Sequence, residues 1–209
     1  MKTQTKSLLI ILLISFGLIS CSPIFSSLYG IKKIKPLEEK TIVRFAEKYN
    51  IPSTESFMLD TTYFTYLFSL DTNGCNEEIK NHSQPLQTLY YDNTGSLKSF
   101  QVNSYAGGFP NLDWKSDELM STFPPKQQAP VDSIVQLKRL LKYLNPLQTE
   151  ESIKPDKYDY IVVVFWNRFM GRQSKRLIRV VQENSQLAKG KKVRLVYANT
   201  DNLFAYEEE

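Results

Sequence analysis

The spacing of apolar residues changes along the chain, and these changes predict where helices and strands lie. Apolar residues recur every three or four positions in 37–49, which predicts a helix that Asn50 and Pro52 end. Unbroken runs of β-branched and aromatic residues fill 158–166 and 193–198. Such runs are typical of strands covered on both faces, as in a parallel sheet.

A second helical pattern lies between these two strands. Residues 171–188 turn Leu177, Val180 and Val181 to one side, and Gly190 with its neighbouring lysines ends the helix. Strand, helix and strand within about 40 residues predict a βαβ unit, whose connection is almost always right-handed.

The segments before this unit are less regular. Residues 86–91 and 97–102 flank a turn sequence, which predicts a β-hairpin. Residues 131–144 carry an apolar stripe at helical spacing, which predicts an amphipathic helix. Residues 57–70 fit a strand and a helix equally, and 106–130 predict a long loop.

The N-terminal residues have the organisation of an export signal. Lys2 and Lys6 precede an apolar run of about 13 residues, shorter than the roughly 20 that a membrane-spanning helix needs. The sequence Leu18-Ile19-Ser20-Cys21 follows, and it resembles the lipobox of bacterial lipoproteins. The alternative is an uncleaved N-terminal anchor with a buried Cys21.

The lipobox resemblance implies a processing route and a location. The signal peptide is removed, Cys21 receives a diacylglyceryl group on its thiol, and its new amine receives an acyl chain such as palmitate. Ser22 favours the outer membrane by the same resemblance. We therefore expect a signal peptide over 1–20, a lipidated tether over 21–36 and one domain over 37–209, held in the cell envelope.

Composition limits the chemistry that the chain can carry out. Its 209 residues contain two cysteines and one histidine, too few for a Cys/His zinc site or a two-histidine metal centre. The formal charge of +4 falls to about +2 when Lys2 and Lys6 leave with the signal peptide, which is too weak to indicate nucleic acid. We expect no metal, no cofactor and no nucleic-acid partner.

The predicted βαβ unit resembles the first βαβ unit of the thioredoxin superfamily, above all that of its membrane-anchored thiol–disulfide oxidoreductases. The resemblance lies in the strand that ends in Phe165-Trp166, the helix after it, and the strand that runs into Asn199-Thr200-Asp201. It covers about 44 residues. It implies an α/β, thioredoxin-like sandwich, and the alternative is a βαβ unit of another α/β fold.

The redox motif of that family is missing. Where the family has Trp-Cys-Gly-Pro-Cys at the start of the helix, this chain has Phe169-Met170-Gly171-Arg172-Gln173. Met170 stands in the place of the nucleophilic cysteine and Gln173 in the place of the resolving one. A thioether does not ionise and an amide cannot release a mixed disulfide, so we expect no dithiol–disulfide exchange here.

The order of the elements also differs from the family. The family continues after this unit with a proline-led hairpin and a helix, whereas here the hairpin 86–102 and the predicted helix 131–144 come first. A circularly permuted thioredoxin fold gives this order. The hypothesis requires that the hairpin extend the sheet containing 160–165.

Five cations follow the first strand of the unit, and they share one face if the segment is helical. They are Arg168, Arg172, Lys175, Arg176 and Arg179. Arginines early in a helix oppose its macrodipole, whereas a partner with phosphate or carboxylate groups would explain them. Lipid head groups, an acidic protein or the chain's own acidic residues 207–209 are candidates, and a solvated face is the simpler alternative. Lys32, Lys33 and Lys35 add positive charge in the predicted tether.

Two further side chains are candidates for chemistry. Cys75 is the only thiol left once Cys21 is acylated, and it lies in a polar segment. His82 is the only histidine, and no Gly-X-Ser-X-Gly motif accompanies it to indicate a hydrolase. We expect His82 to be a polar loop residue.

These features together predict a non-catalytic role. The chain is interpreted as a membrane-anchored lipoprotein that serves as a binding or assembly module of the cell envelope. One alternative is a divergent thiol-dependent redox protein that uses Cys75, and another is a structural lipoprotein without a specific ligand.

Overall fold

A mixed β-sheet built around one apolar strand organises the molecule. The computed structural model describes residues 30–70, 74–105, 113–114, 118–148 and 153–207. In these residues the strands are β1 Ser56–Leu59, β2 Gln87–Asp92, β3 Leu97–Val102, β4 Leu144–Pro146, β5 Tyr160–Trp166 and β6 Val193–Asn199. The α-helices are α1 Glu39–Lys48, α2 Tyr63–Phe68, α3 Asn76–His82, α4 Leu137–Leu140, α5 Gly171–Ser185 and α6 Asp201–Glu207. Single 3₁₀ turns lie at Ser53–Glu55, Leu141–Tyr143 and Pro155–Lys157.

The strand order is β3-β2-β5-β6-β1-β4. The pairs β5–β6 and β6–β1 are parallel, whereas β2–β3, β2–β5 and β1–β4 are antiparallel. Helix α5 connects β5 to its neighbour β6, which confirms the predicted βαβ unit. The combination of helices with this partly parallel, six-stranded sheet confirms the predicted α/β class.

Strand β5 is buried on both sides of the sheet. Ile161, Val163 and Phe165 point into one hydrophobic core, and Val162 and Val164 into the other. We call the first side the short-helix face, because α2, α3, α4 and α6 cover it. The second side is the long-helix face, because α1 and α5 cover it. A strand covered twice has no place for polar side chains, which explains its unbroken apolar sequence.

The predicted hairpin is confirmed as β2 and β3, and it extends the sheet of the βαβ unit. Leu89 of β2 lies opposite Val163 of β5 in an antiparallel register. At the turn, the Asp92 carboxylate accepts hydrogen bonds from the backbone amides of Thr94 and Ser96, 2.9 and 3.0 Å away. This side-chain cap fixes the register of the two strands.

The prediction of a helix over 131–144 is wrong. Only α4 and one 3₁₀ turn form there, and Leu144 already belongs to β4. Groups before α4 bond instead to distant parts of the chain: the Val135 carbonyl accepts from the Tyr91 hydroxyl at 2.8 Å, and Asp132 binds His82. These tertiary bonds outweigh the local helical preference.

The other two predicted helices are present, and the ambiguous segment contains both a strand and a helix. The predicted helix over 37–49 is confirmed as α1, and that over 171–188 as α5, which ends at Ser185. The ambiguous segment 57–70 contains a strand followed by a helix, β1 and α2. The predicted signal peptide, Cys21, and residues 106–112 and 115–117 of the predicted loop lie outside the described residues.

Candidate functional site at the carboxyl end of the parallel strands

The strands β5 and β6 end side by side at Trp166 and Asn199. In open α/β sheets, ligands bind at this edge, where the chain leaves each strand. Here the chain passes through 167–170 into α5 and through Thr200 into α6. We call this region, with the residues that cover it, the strand-end site.

Asn167 holds the loop before α5 in place. Its amide nitrogen donates to the Pro85 carbonyl at 3.0 Å, and its amide oxygen accepts from the Met170 N–H at 2.8 Å. The Ser174 hydroxyl donates to the Asn167 carbonyl at 2.7 Å and accepts from its N–H at 3.0 Å. The loop is therefore bonded to α5 and to the residue that leads into the hairpin.

A buried carboxylate ties the two strand ends together. Asp201, only 2% exposed, accepts from the Arg168 N–H at 2.7 Å and from the Asn199 side-chain amide at 2.8 Å. Burial raises the pKa of Asp201, and these hydrogen bonds act in the opposite direction. The carboxylate therefore connects the loop after β5 to the end of β6.

The N-terminal described segment closes the site from outside. We call residues 30–37 the strap. The Lys32 N–H donates to the Phe169 carbonyl at 2.7 Å, and Leu37 exchanges two hydrogen bonds with the Asn202 side chain, of 2.7 and 3.0 Å. The part of the predicted tether from Gly30 onward is thus bound to the domain.

The two positions that replace the redox cysteines are both buried. Met170 is 6% exposed and directly precedes α5, and Gln173 is 2% exposed in its first turn. The Gln173 side-chain oxygen has no hydrogen-bond partner among the described residues. Between them, a Cβ atom on Gly171 would lie 2.5 Å from the Tyr49 hydroxyl, so a larger residue at this position requires the tyrosine to shift. Neither Met170 nor Gln173 has a side chain that ionises as a thiol does.

Cys75 lies on the other side of the sheet. It is a half-buried free thiol next to the first residue of α3, and it packs against the core of the short-helix face. Met170 belongs to the core of the long-helix face. The sheet separates the two side chains, so Cys75 does not complete a redox pair at the start of α5.

The five cations of the predicted basic face do not all lie on the helix. Arg168 precedes α5, is half-buried, and places its guanidinium 5.9 Å from the centre of the Phe45 ring. The other four cations lie on α5 and are exposed: Arg172, Lys175, Arg176 and Arg179. Arg179 lies 3.8 Å from Glu183, a contact of little energy at the surface. Of the acidic residues 207–209, the structure describes Glu207, which is exposed.

A buried histidine–carboxylate pair is the feature that sequence analysis missed. His82 ends α3 fully buried, contrary to the predicted loop position, and its Nε2 lies 3.0 Å from both oxygens of Asp132. Its ring stacks on Phe100 at 4.5 Å between centres. Fifty residues separate the partners, and no local pattern marks such a pair. The imidazole does not reach solvent, and the pair connects α3 to the segment before α4 within the short-helix face.

The described ranges contain neither a cluster of metal-ligating side chains nor a membrane-spanning helix. They contain no group of three or more His, Cys, Asp or Glu side chains arranged to hold a metal ion. None of the helices in those ranges is both long enough and apolar enough to cross a bilayer.

Comparison with known proteins adds no assignment. No protein-family model, curated protein or solved structure matches the chain.

Proposed function

We propose that this chain is a lipid-anchored, non-catalytic binding or assembly module of the bacterial cell envelope, with a circularly permuted thioredoxin-like domain. One observation carries the proposal. The place where such a fold performs redox chemistry holds Met170 and Gln173, both buried, under a strap that is hydrogen-bonded to the site.

The arrangement of the sheet supports the permuted fold. The resemblance implies a proline-led hairpin after the βαβ unit, and here Pro85 leads the hairpin that precedes it. That hairpin pairs through β2 with β5, and the Pro85 carbonyl accepts from Asn167 beside the start of α5. A hairpin in this place is what a permuted chain order requires.

The separation of sulfur atoms supports the absence of redox activity. Thiol–disulfide exchange needs an attacking thiolate and a second thiol within reach of the mixed disulfide. Met170 and Cys75 lie in different cores, and neither has a cysteine beside it among the described residues. The alternative, a redox protein using Cys75, would need a partner thiol from another molecule.

The N-terminal sequence supports the anchor. The lipobox resemblance places the acylated Cys21 nine positions before Gly30, where the strap begins. Several acyl chains hold a protein on a bilayer firmly, whereas a single one binds it marginally. The proposal therefore includes membrane attachment through lipid, at the outer membrane, without a spanning helix.

Metabolic labelling with an alkyne analogue of palmitate tests the anchor. We expect label on the wild type and on the control Cys75→Ala, and an unlabelled, uncleaved precursor for Cys21→Ala. Normal cleavage and membrane association of Cys21→Ala would refute lipid anchoring.

An insulin-reduction assay with dithiothreitol tests the absence of redox chemistry. We expect the purified chain to leave the rate of insulin precipitation unchanged. An acceleration that Cys75→Ala abolishes would establish the redox alternative and overturn the non-catalytic assignment.

A further inference from the structure

The beginning of the strap lies against the first turn of α5. The Arg172 guanidinium lies against Gly30, with its central carbon 3.5 Å from the position of a Cβ on that glycine. The Lys32 backbone is bonded to Phe169, directly before α5. Lys32 and Lys33 are exposed, as are the cations of α5. We call Lys32, Lys33, Arg172, Lys175, Arg176 and Arg179 the basic surface.

Acidic residues are missing from the same stretches of sequence. The strap contains none, and the segment from Arg168 to Gln182 contains none either. Cations in the first turn of a helix oppose its macrodipole, so helix stability does not account for Arg172. The lysines after α5, such as Lys189, differ because a helix C-terminus favours positive charge.

The proposed anchor determines which part of the domain lies nearest the membrane. Lys32, where the strap is already bonded to the domain, lies only 11 positions after Cys21. A chain of that length spans at most about 40 Å, even when fully extended. The basic surface begins where this short connection ends. Weak attraction suffices there, because the anchor makes the encounter intramolecular.

We propose that the basic surface docks on an anionic bilayer and holds the domain with the start of α5 toward the lipid. This inference rests on the proposed lipid anchor. Juxtamembrane lysines and arginines are attracted to anionic lipid within about one Debye length, near 10 Å at moderate salt. In this orientation the strand-end site faces the membrane, and the far end of α5 points away from it.

Lysine labelling of the lipidated full chain in vesicles tests this orientation. One set of vesicles contains 30% phosphatidylglycerol in phosphatidylcholine, and the other phosphatidylcholine alone. A membrane-impermeant amine reagent modifies exposed lysines, and mass spectrometry measures each rate. We expect Lys32, Lys33 and Lys175 to react about fivefold more slowly in the anionic vesicles, the factor that one cation near such a surface contributes. Lys189 should react equally in both sets, and 0.5 M salt should remove the difference.

Two double variants with the same change in net charge distinguish an effect of the basic surface from an effect of net charge alone. Arg176→Glu with Arg179→Glu should abolish the protection of Lys175. Lys189→Glu with Lys192→Glu, at the opposite end of α5, should leave it intact. All four side chains are exposed, so both variants should fold. If Lys175 lost its protection equally in both variants, the proposal would be overturned.

Vesicle flotation keeps failure of the anchor distinct from failure of docking. A chain that does not float with vesicles lacks the anchor, which refutes the proposed function itself. A chain that floats but shows equal lysine rates in both vesicle sets is anchored without docking, which overturns the inference alone. Protection seen only in native membranes, and not in anionic vesicles, would also overturn it in favour of an acidic protein partner.

Discussion

The two faces of the sheet are covered by helices of different kinds. On the long-helix face, α1 and α5 have 10 and 15 residues and carry regular apolar stripes. On the short-helix face, α2, α3, α4 and α6 have 6, 7, 4 and 7 residues. Isolated helices below about 12 residues are marginal, so α1 also needs its contacts, but its regular apolar stripe marks it in the sequence. Helices of one or two turns are too short to carry such a stripe, so the short ones depend on what they contact in the folded state. The long-helix face is therefore specified locally, and the short-helix face by distant partners.

The largest effect should come from removing such a distant partner. We expect His82→Ala to lower the free energy of unfolding by roughly 3 kcal/mol or more, because it empties a fully buried site and leaves the Asp132 carboxylate without its partner. Urea unfolding followed by circular dichroism measures this. His82→Phe is the control, since it retains a ring against Phe100 while losing the bond. A loss below 1 kcal/mol for His82→Ala would show that the short-helix face does not depend on the pair.

A smaller effect is expected where the long helices contact each other. Gly171→Ala forces a methyl group against the Tyr49 hydroxyl, and we expect a loss of about 1–3 kcal/mol in unfolding free energy. In a Tyr49→Phe background that oxygen is absent. The same substitution should then cost less than 1 kcal/mol, or even stabilise through the better helix propensity of alanine. Equal costs in both backgrounds would contradict the close contact, and the double-mutant cycle measures the difference directly.

The smallest effect is expected at the hairpin turn, outside both faces. Burial alone would raise the pKa of Asp92, yet hydrogen bonds from Thr94, Lys98 and the backbone of Ser96 lower it to about 2. A lowered pKa means that this carboxylate stabilises the fold above its ordinary pKa, near 4, and that the contribution disappears as the pH falls toward 2.

Asp92→Asn tests the predicted direction in which stability changes with pH. The variant should be less stable than the wild type by about 1 kcal/mol at pH 7, and the two should converge between pH 4 and pH 2. Unfolding curves of both proteins across this range provide the measurement. A difference that is independent of pH would assign the effect to turn geometry rather than to charge.

The same division explains how much of the fold the sequence could predict. Helices α1 and α5, the strands of the βαβ unit and the hairpin were predictable because each has its own periodicity or turn residues. The helix over 131–144 was predicted wrongly because its apolar stripe is real, but the backbone before α4 bonds to Tyr91 and His82. Local pattern gives no information about such partners.

The candidate site likewise has features that the sequence predicts and features that it does not. The position of Met170 and Gln173 at the start of a helix followed from the resemblance to the thioredoxin superfamily and from the helical pattern that begins at residue 171. The strap was not predictable, because the bond between Lys32 and Phe169 joins residues 137 positions apart through backbone groups, which every residue carries. For the same reason, the sequence does not predict that Arg172 lies against Gly30.

The position of β1 in the sheet has a consequence for folding kinetics. Its parallel neighbour is β6, so Ser56 pairs with Tyr197 only after β6 has been synthesised, and the central strand β5 also comes later in the sequence than β1 to β4. Before that point only local pairs such as the β2–β3 hairpin can form. Sheets closed by such distant contacts fold slowly. A chain that completes its sheet last remains unfolded for longer after synthesis.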